Sequence, residues 1–202
     1  ERYKRTGETL PDSALEELRG FNTILLGAIG HPDVKPGILE KGILLRLRFE
    51  LEQYINLRPV KLYDERYCPL KGKGPEHIDF VVVRENTEGL YSGVENVITR
   101  GVVASLKVAT ETACTRIARW AFDYARRRQR KKVTVFHKAN IMKLTDGMFM
   151  RCAEAVRDEY PEIDFQELII DAACMRLVQD PSRFDVLVME NLYGDVVSDL
   201  CA

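Results

Sequence analysis

The 202-residue sequence is 46% hydrophobic and 30% charged, which predicts a globular chain with a sizeable core. Its 30 basic and 31 acidic side chains leave a formal net charge of −1, so no overall field recruits nucleic acid or an anionic membrane. No apolar stretch has the length of a transmembrane helix, and the first residues do not form a signal-peptide pattern. We therefore expect a cytoplasmic protein with no nucleic-acid or membrane partner.

The cysteines and histidines do not predict a disulfide framework or a histidine metal site. The five cysteines are odd in number and contain no Cys-x-x-Cys pair, so we expect reduced thiols. The three histidines are dispersed along the chain and receive no catalytic role.

Short apolar runs predict strands, and apolar residues at helical spacing predict helices. In chain order these are a strand at 23–30, a loop at 31–37, a helix at 42–54, strands at 60–63 and 78–83, a helix at 104–128, a strand at 133–136, a helix at 146–160 with Thr145 as its N-cap, a strand at 165–170, a short helix to 178, a strand at 184–189, and a helix beginning near 195. This alternation predicts α/β layers. Because the chain opens without methionine and stops in a helical pattern that has only begun, we also expect a fragment.

Polar side chains follow four of the predicted strands, where open α/β sheets bind their ligands. The segments concerned are 84–91, 137–140, residue 171 and 190–199. Asp195 and Asp199 are four residues apart on a starting helix, so their carboxylates share one face. A helix N-terminus alone accounts for two such acids. With Asp171 at a neighbouring strand end, however, they form an oxygen-only set suited to Mg²⁺ or Mn²⁺.

Arginines and a possible proton-transfer pair complete the candidate site. Arg48, Arg58 and Arg84 stand on three different predicted elements, and converging guanidinium groups fit a di- or tricarboxylate substrate. The alternative for each is a surface salt bridge. Lys138 and Tyr91 are candidates for proton transfer, against the alternative of a surface lysine and a packed tyrosine.

Four motifs resemble, in order and spacing, those of the β-decarboxylating dehydrogenases, the family of isopropylmalate, isocitrate, homoisocitrate and tartrate dehydrogenases. They are Asn56-Leu57-Arg58-Pro59, Arg84-Glu85-Asn86-Thr87-Glu88-Gly89, His137-Lys138-Ala139-Asn140, and Asn191-Leu192-Tyr193-Gly194-Asp195 with Ser198-Asp199. The resemblance covers nearly the whole chain. It implies part of that family's two-domain α/β fold with a mixed, mostly parallel sheet. Residues 1–54 would belong to the first, cofactor-side domain, and 55–202 would form the second domain with substrate, metal and dimer-contact elements.

The resemblance also implies roles for individual residues. Arg48, Arg58 and Arg84 would bind the substrate carboxylates, and Tyr91 and Lys138 would be the catalytic pair. Asp171, Asp195 and Asp199 would hold Mg²⁺ or Mn²⁺ together with the substrate hydroxyl. Glu40 and Asn140 would lie beside the nicotinamide of NAD, with NADP left open. Lys138 and Asp171 would serve the partner subunit's active site, which implies a homodimer with shared sites.

The implied reaction is the metal-dependent oxidative decarboxylation of a 2-hydroxy dicarboxylate, with hydride transfer to the nicotinamide. Leu44 and Leu45 lie four and three residues before Arg48, so they should share its face and line the pocket for the substrate's variable group. They favour isopropylmalate, the substrate of leucine biosynthesis. The segment 133–202 resembles NAD-dependent isocitrate dehydrogenase, which stays an alternative beside homoisocitrate and tartrate dehydrogenases. A non-catalytic regulatory subunit is less consistent with the full set of functional residues.

Overall fold

The computed structural model describes all of residues 1–202 and divides them into two compact units, Glu1–Gln53 and Tyr54–Ala202. The first unit is helical. Its elements are α1 (Arg2–Thr6), α2 (Asp12–Arg19), and a π-helix (Glu40–Leu45) that continues directly into α3 (Arg46–Glu50). Its buried side chains are Leu15, Leu47 and Arg48.

Two sequence predictions in the first unit are wrong. Residues 23–30 form no strand, and Leu25 is 97% exposed. A strand needs a neighbour to pair with its backbone groups, and the first unit contains no other strand. The helix predicted at 42–54 begins two residues earlier and ends at Glu50, because Glu52 takes a left-handed backbone conformation with φ of 48°.

The second unit alternates strands and helices. In chain order it contains β1 (Ile55–Lys61), β2 (Asp79–Glu85), β3 (Glu95–Thr99), β4 (Val102–Ser105), α4 (Glu111–Arg127), β5 (Lys132–His137), α5 (Thr145–Arg157), β6 (Asp164–Ile169), α6 (Ile170–Gln179), β7 (Val186–Met189) and α7 (Asn191–Leu200). Four single 3₁₀ turns lie at Glu65–Tyr67, Pro75–His77, Leu90–Ser92 and Pro181–Arg183.

Five of these strands form one sheet in the order β1-β2-β7-β5-β6. β1 is antiparallel to β2, and the other three pairings are parallel, which confirms the prediction of a mixed, mostly parallel sheet. The carboxyl ends of β2, β7, β5 and β6 therefore lie along one edge, and that edge carries the polar segments singled out from the sequence.

Helices cover both faces of the sheet, because successive strand residues point to opposite sides. Val81 and Val83 pack in one cluster with α4 and α5, whereas Phe80 and Val82 pack in another with α6 and α7. Burial on both sides explains why β2 and β7 read as unbroken apolar runs. No helix in residues 1–202 combines the length and the apolar character that a membrane crossing requires.

Several predicted boundaries in the second unit are wrong. The helix predicted from 104 begins at Glu111, because Thr110 caps it by accepting the N–H of Ala113 at 3.2 Å. Residues 102–105 instead pair with β3 in a hairpin that the sequence did not predict. Thr145 is the first helical residue of α5 rather than its N-cap, and α5 ends at Arg157. α7 begins at Asn191, not near 195, because Glu190 caps its N-terminus.

Candidate active site

Arg84 stands at the end of β2 and is fixed by α7. Its side chain is 2% exposed, and its Nε and Nη2 donate to Asn191 Oδ1 at 3.0 and 2.8 Å. Its Nη1 donates to Asp195. Asn191 is itself oriented, because its Nδ2 donates to the carbonyl of Glu88 at 3.0 Å. The guanidinium is thus buried in one orientation by a single helix.

Arg58 is the second cation of this cluster and approaches from β1, the strand beside β2. Its Nη1 donates to Ser198 Oγ at 2.6 Å and to Asp199 Oδ1 at 3.1 Å, and its Nη2 lies 3.6 Å from Asp195 Oδ1. Arg58 therefore stands against both aspartates of α7 and offsets the repulsion between two like charges one helical turn apart.

Tyr91 lies in the Leu90–Ser92 turn that follows β2. Its hydroxyl donates to Asp195 Oδ2 at 2.6 Å, and the Arg84 guanidinium lies 5.1 Å from the ring centre. Burial, together with the hydrogen bond to Asp195, raises the pKa of Tyr91, so this side chain stays protonated and is suited to donate a proton. Burial acts to raise the pKa of Asp195 as well, but Tyr91, Arg84 and Arg58 outweigh it and lower that pKa.

Lys138 and Asp171 form a second cluster at the ends of the adjacent parallel strands β5 and β6. Lys138 Nζ donates to Asp171 Oδ1 at 2.7 Å, and this hydrogen bond lowers the pKa of Asp171. The Asp171 side chain is 70% exposed, so the pair faces solvent.

The structure brings Arg58, Arg84, Tyr91, Asp195 and Asp199 together but does not bring Asp171 to them. Residues 1–202 contain no group of three His, Cys, Asp or Glu side chains arranged to hold a metal ion. Asp195 and Asp199 supply two carboxylates, and the third predicted ligand lies with Lys138. The predicted metal set is thus divided between two clusters of one chain.

The remaining predicted residues lie on other segments. Arg48 is buried on α3, and Leu44 and Leu45 precede it in the π-helix. Glu40 accepts the N–H of Gly37 at 2.9 Å, and Asn140 is exposed in the turn after β5. Their roles stay predictions.

Reasoning from single residues missed Asn191 and Ser198, which touch the two arginines directly. Both stand in the recognised motifs, but sequence spacing gives no partner for a neutral side chain. Sequence reasoning also missed Lys107, Asp146 and Glu190, a second group in which Asp146 accepts the backbone N–H of Lys138 at 2.7 Å.

Comparison with known proteins identifies the family. The family profile described as isocitrate/isopropylmalate dehydrogenase matches residues 1–202. A 3-isopropylmalate dehydrogenase of Mycobacterium bovis (strain BCG / Pasteur 1173P2) is 47% identical over 205 residues, which include 100% of this chain and 60% of the relative. That of Mycolicibacterium gilvum is 48% identical over 99% of this chain and 60% of its own length.

Two solved structures have similar folds. Isocitrate dehydrogenase from Methylococcus capsulatus matches with a TM-score of 0.82 and 37% identity over 100% of this chain and 58% of its own. The TT0538 protein from Thermus thermophilus matches with a TM-score of 0.88 and 39% identity over 98% of this chain and 39% of its own. The chain therefore belongs to the isocitrate/isopropylmalate dehydrogenase family, and it spans about 60% of the length of the curated relatives it matches.

Proposed function

We propose that the full-length protein catalyses the oxidative decarboxylation of a 2-hydroxy dicarboxylate, with isopropylmalate as its substrate. The observation that carries this proposal is the cluster in which Arg58 and Arg84, a protonated tyrosine and two aspartates meet at one sheet edge. Arginine forks bind carboxylates, and aspartates bind a hard cation and the oxygen it polarises. This set matches a negatively charged hydroxy acid.

Substrate binding requires an exchange of partners. Asp195 now accepts from Arg84 and Tyr91, and Asp199 accepts from Arg58. A substrate carboxylate would take the place of the aspartates at the arginines, and the aspartates would turn to a cation. Arg84 keeps its two hydrogen bonds to Asn191 during this exchange, so its guanidinium stays oriented.

The donor set at the cluster fits a divalent metal, since both acids of α7 offer oxygen ligands only. Asp195 and Asp199 would hold Mg²⁺ or Mn²⁺, with Asp171 of a second subunit as the third carboxylate. When bound, such a metal polarises the hydroxyl and the carbonyl formed from it. Lys138 would accept the hydroxyl proton, and Tyr91 would protonate the substrate carbon that loses CO₂.

The hydride acceptor would be NAD, with NADP left open. Asn140 lies two residues beyond Lys138 in the turn after β5, which supports a place for the nicotinamide near Lys138. Glu40 stays the less direct assignment because its side chain already accepts the backbone N–H of Gly37.

Two observations bear on the substrate. The relatives at 47% and 48% identity are named 3-isopropylmalate dehydrogenases, and Leu44 and Leu45 in this chain would suit an isopropyl group. Isocitrate is the second candidate, because a solved isocitrate dehydrogenase shares the fold at 37% identity.

A homodimer with shared sites is part of the proposal. The hairpin of β3 and β4 exposes apolar side chains, with Val97 and Val103 each 75% exposed and paired in register. Such a patch fits a second copy of the chain. A dimer would also bring Lys138 and Asp171 of one subunit to Asp195 and Asp199 of the other.

Steady-state assays of the full-length protein with isopropylmalate and isocitrate test the proposal. Burying an isopropyl group against leucines, and the cost of seating a third carboxylate there, favour isopropylmalate by roughly three orders of magnitude in kcat/KM, or ~4 kcal/mol. Excess chelator should abolish turnover, and Mg²⁺ or Mn²⁺ should restore it. Equal kcat/KM for the two substrates would reject the substrate assignment, and full activity in chelator would reject the aspartate assignment.

A further inference from the structure

A lysine whose side chain is mostly, but not fully, buried joins three segments of the second unit outside the cluster above. Lys107 lies between β4 and α4, and its side chain is 13% exposed. Its Nζ donates to Asp146 Oδ1 at 2.5 Å and lies 3.6 Å from Glu190 Oε1. Since little water reaches this ammonium, its attraction to the two carboxylates is only weakly screened.

Asp146 links Lys107 to the backbone of Lys138. Its side chain is 2% exposed, and its second oxygen, Oδ2, accepts the backbone N–H of Lys138 at 2.7 Å. This hydrogen bond acts at the point where β5 ends and the Lys138 side chain leaves the sheet. Lys107 holds one oxygen of Asp146, so the other is fixed toward Lys138.

Glu190 connects the same lysine to the arginine–aspartate cluster. Its carboxylate accepts the backbone N–H groups of Leu192 and Tyr193, each at 3.2 Å, and so caps the helix that carries Asp195 and Asp199. Lys107 therefore stands between the end of β5 and the N-terminus of α7.

Stability alone does not account for this arrangement. Two carboxylates face one ammonium here, and apolar side chains of the same volume are often as stable as such a buried ion pair. A group that costs stability but fixes the backbone beside a reactive side chain is expected where orientation matters.

We propose that Lys107 and Asp146 are positioning residues, which hold the backbone of Lys138 so that its side-chain nitrogen, Nζ, meets the substrate hydroxyl in one orientation. The proposal rests on the proposed function for the role of Lys138 in turnover. The fixing of the Lys138 backbone by Asp146 is independent of that function and can be measured without turnover.

The test compares the full-length protein with three variants in two measurements. Lys107→Met removes the ammonium, and Asp146→Asn keeps the shape but weakens the acceptor. Asp146→Asn also leaves Lys107 with Glu190 as its counter-charge, which guards against loss of the fold. Lys73→Met is the matched control. It breaks the ion pair between Lys73 and Asp180, which are 2.7 Å apart and belong to no part of this network. The measurements are hydrogen exchange of the segment 137–141, and kcat and KM with isopropylmalate.

We expect exchange of 137–141 to be at least ~10-fold faster in Lys107→Met and Asp146→Asn, with kcat lower by ~10- to 100-fold and KM changed less than ~3-fold. Lys73→Met should change neither measurement. Unchanged exchange in both test variants, or an equal effect in Lys73→Met, overturns the proposal. Faster exchange with an unchanged kcat in an active protein overturns it as well. If the parent protein turns over none of the hydroxy acids while exchange still responds, the proposed function fails and the fixing of Lys138 stands.

Discussion

The absence of a side chain at Gly194 leaves the space that the Arg84 side chain occupies. A Cβ atom at Gly194 would lie 2.5 Å from Arg84 Cγ and 2.6 Å from its Cβ, and these atoms belong to the rigid base of a buried side chain. The same helix supplies Asn191 and Asp195, both of which hold the guanidinium. The approach of α7 to β2 therefore depends on this glycine.

Gly194→Ala should displace Arg84 and destabilise the protein by ~1–3 kcal/mol, the usual cost of overpacking. KM for the hydroxy acid should rise at least ~10-fold, because Arg84, which we propose to bind the substrate carboxylate, moves. Urea unfolding and steady-state kinetics measure the two effects.

The matched control is Gly147→Ala on α5, where the added Cβ meets only Arg151 Nη1 at 3.4 Å. That change should leave KM as it is and stabilise the helix by up to ~1 kcal/mol. Equal behaviour of the two variants would contradict the role of the close approach.

The sequence could predict that charged residues at strand ends lie together, but it could not predict their neutral partners. Arg84, Tyr91 and Asp195 stood out because each has a chemical role and follows a strand. Asn191 has no such role in isolation, and its contact with Arg84 joins positions 107 residues apart. Lys107 likewise lies in a segment predicted as the start of a helix, and only the fold gives it two buried carboxylates.

Among the contacts between secondary-structure elements, Asp180 connects the end of α6 with the turn at 71–75. It accepts hydrogen bonds from Lys73 Nζ at 2.7 Å, Ser182 Oγ at 2.6 Å and Arg183 Nε at 2.9 Å. These donors, Lys73 first, hold the pKa of Asp180 far below its ordinary value of 3.8. A carboxyl with a lowered folded-state pKa contributes stability that is complete above the unfolded pKa and is lost as the pH falls through the folded one.

Asp180→Asn should therefore lower stability at neutral pH and flatten the loss of stability below about pH 4. Lys73→Met should produce a smaller flattening, because it removes only the largest of the three causes. Chemical denaturation at a series of pH values measures this slope. A parent-like acid slope in Asp180→Asn would show that other carboxyls account for acid unfolding.

Strands were predictable where a continuous apolar run is buried on both faces of the sheet. β2, β5 and β7 are buried on both faces, and their apolar runs gave their positions closely. The run at 23–30 is also apolar but has no strand beside it within its unit, so apolar character alone was insufficient. The hairpin of β3 and β4 was not predicted for the opposite reason. Its residues are mostly exposed, so its sequence shows no alternation between core-facing and solvent-facing side chains.

Across the whole molecule, the candidate site residues of one chain fall into two separate clusters. Arg58, Arg84, Tyr91, Asp195 and Asp199 form one cluster, Lys138 and Asp171 form the other, and no group of three potential ligands in the chain suits a metal ion. If the second cluster serves the partner subunit, a dimer contains two complete sites, each with Tyr91 from one subunit and Lys138 from the other.

Co-expression of full-length Lys138→Ala and Tyr91→Phe chains tests this arrangement. Each variant alone should lose ~two to four orders of magnitude in kcat, because each lacks one proton-transfer group in both sites. A mixed dimer contains one site with both groups intact and one site with neither. Random assembly makes about half of the dimers mixed, so turnover should recover to about one quarter of the parent value.

Adding Val97→Lys and Val103→Lys to both chains should abolish the recovery and give monomers in sedimentation velocity, because these two valines form the exposed apolar pair of the hairpin. Recovery no better than that of either variant alone, from dimers shown to be mixed, would mean that Lys138 serves the site of its own chain.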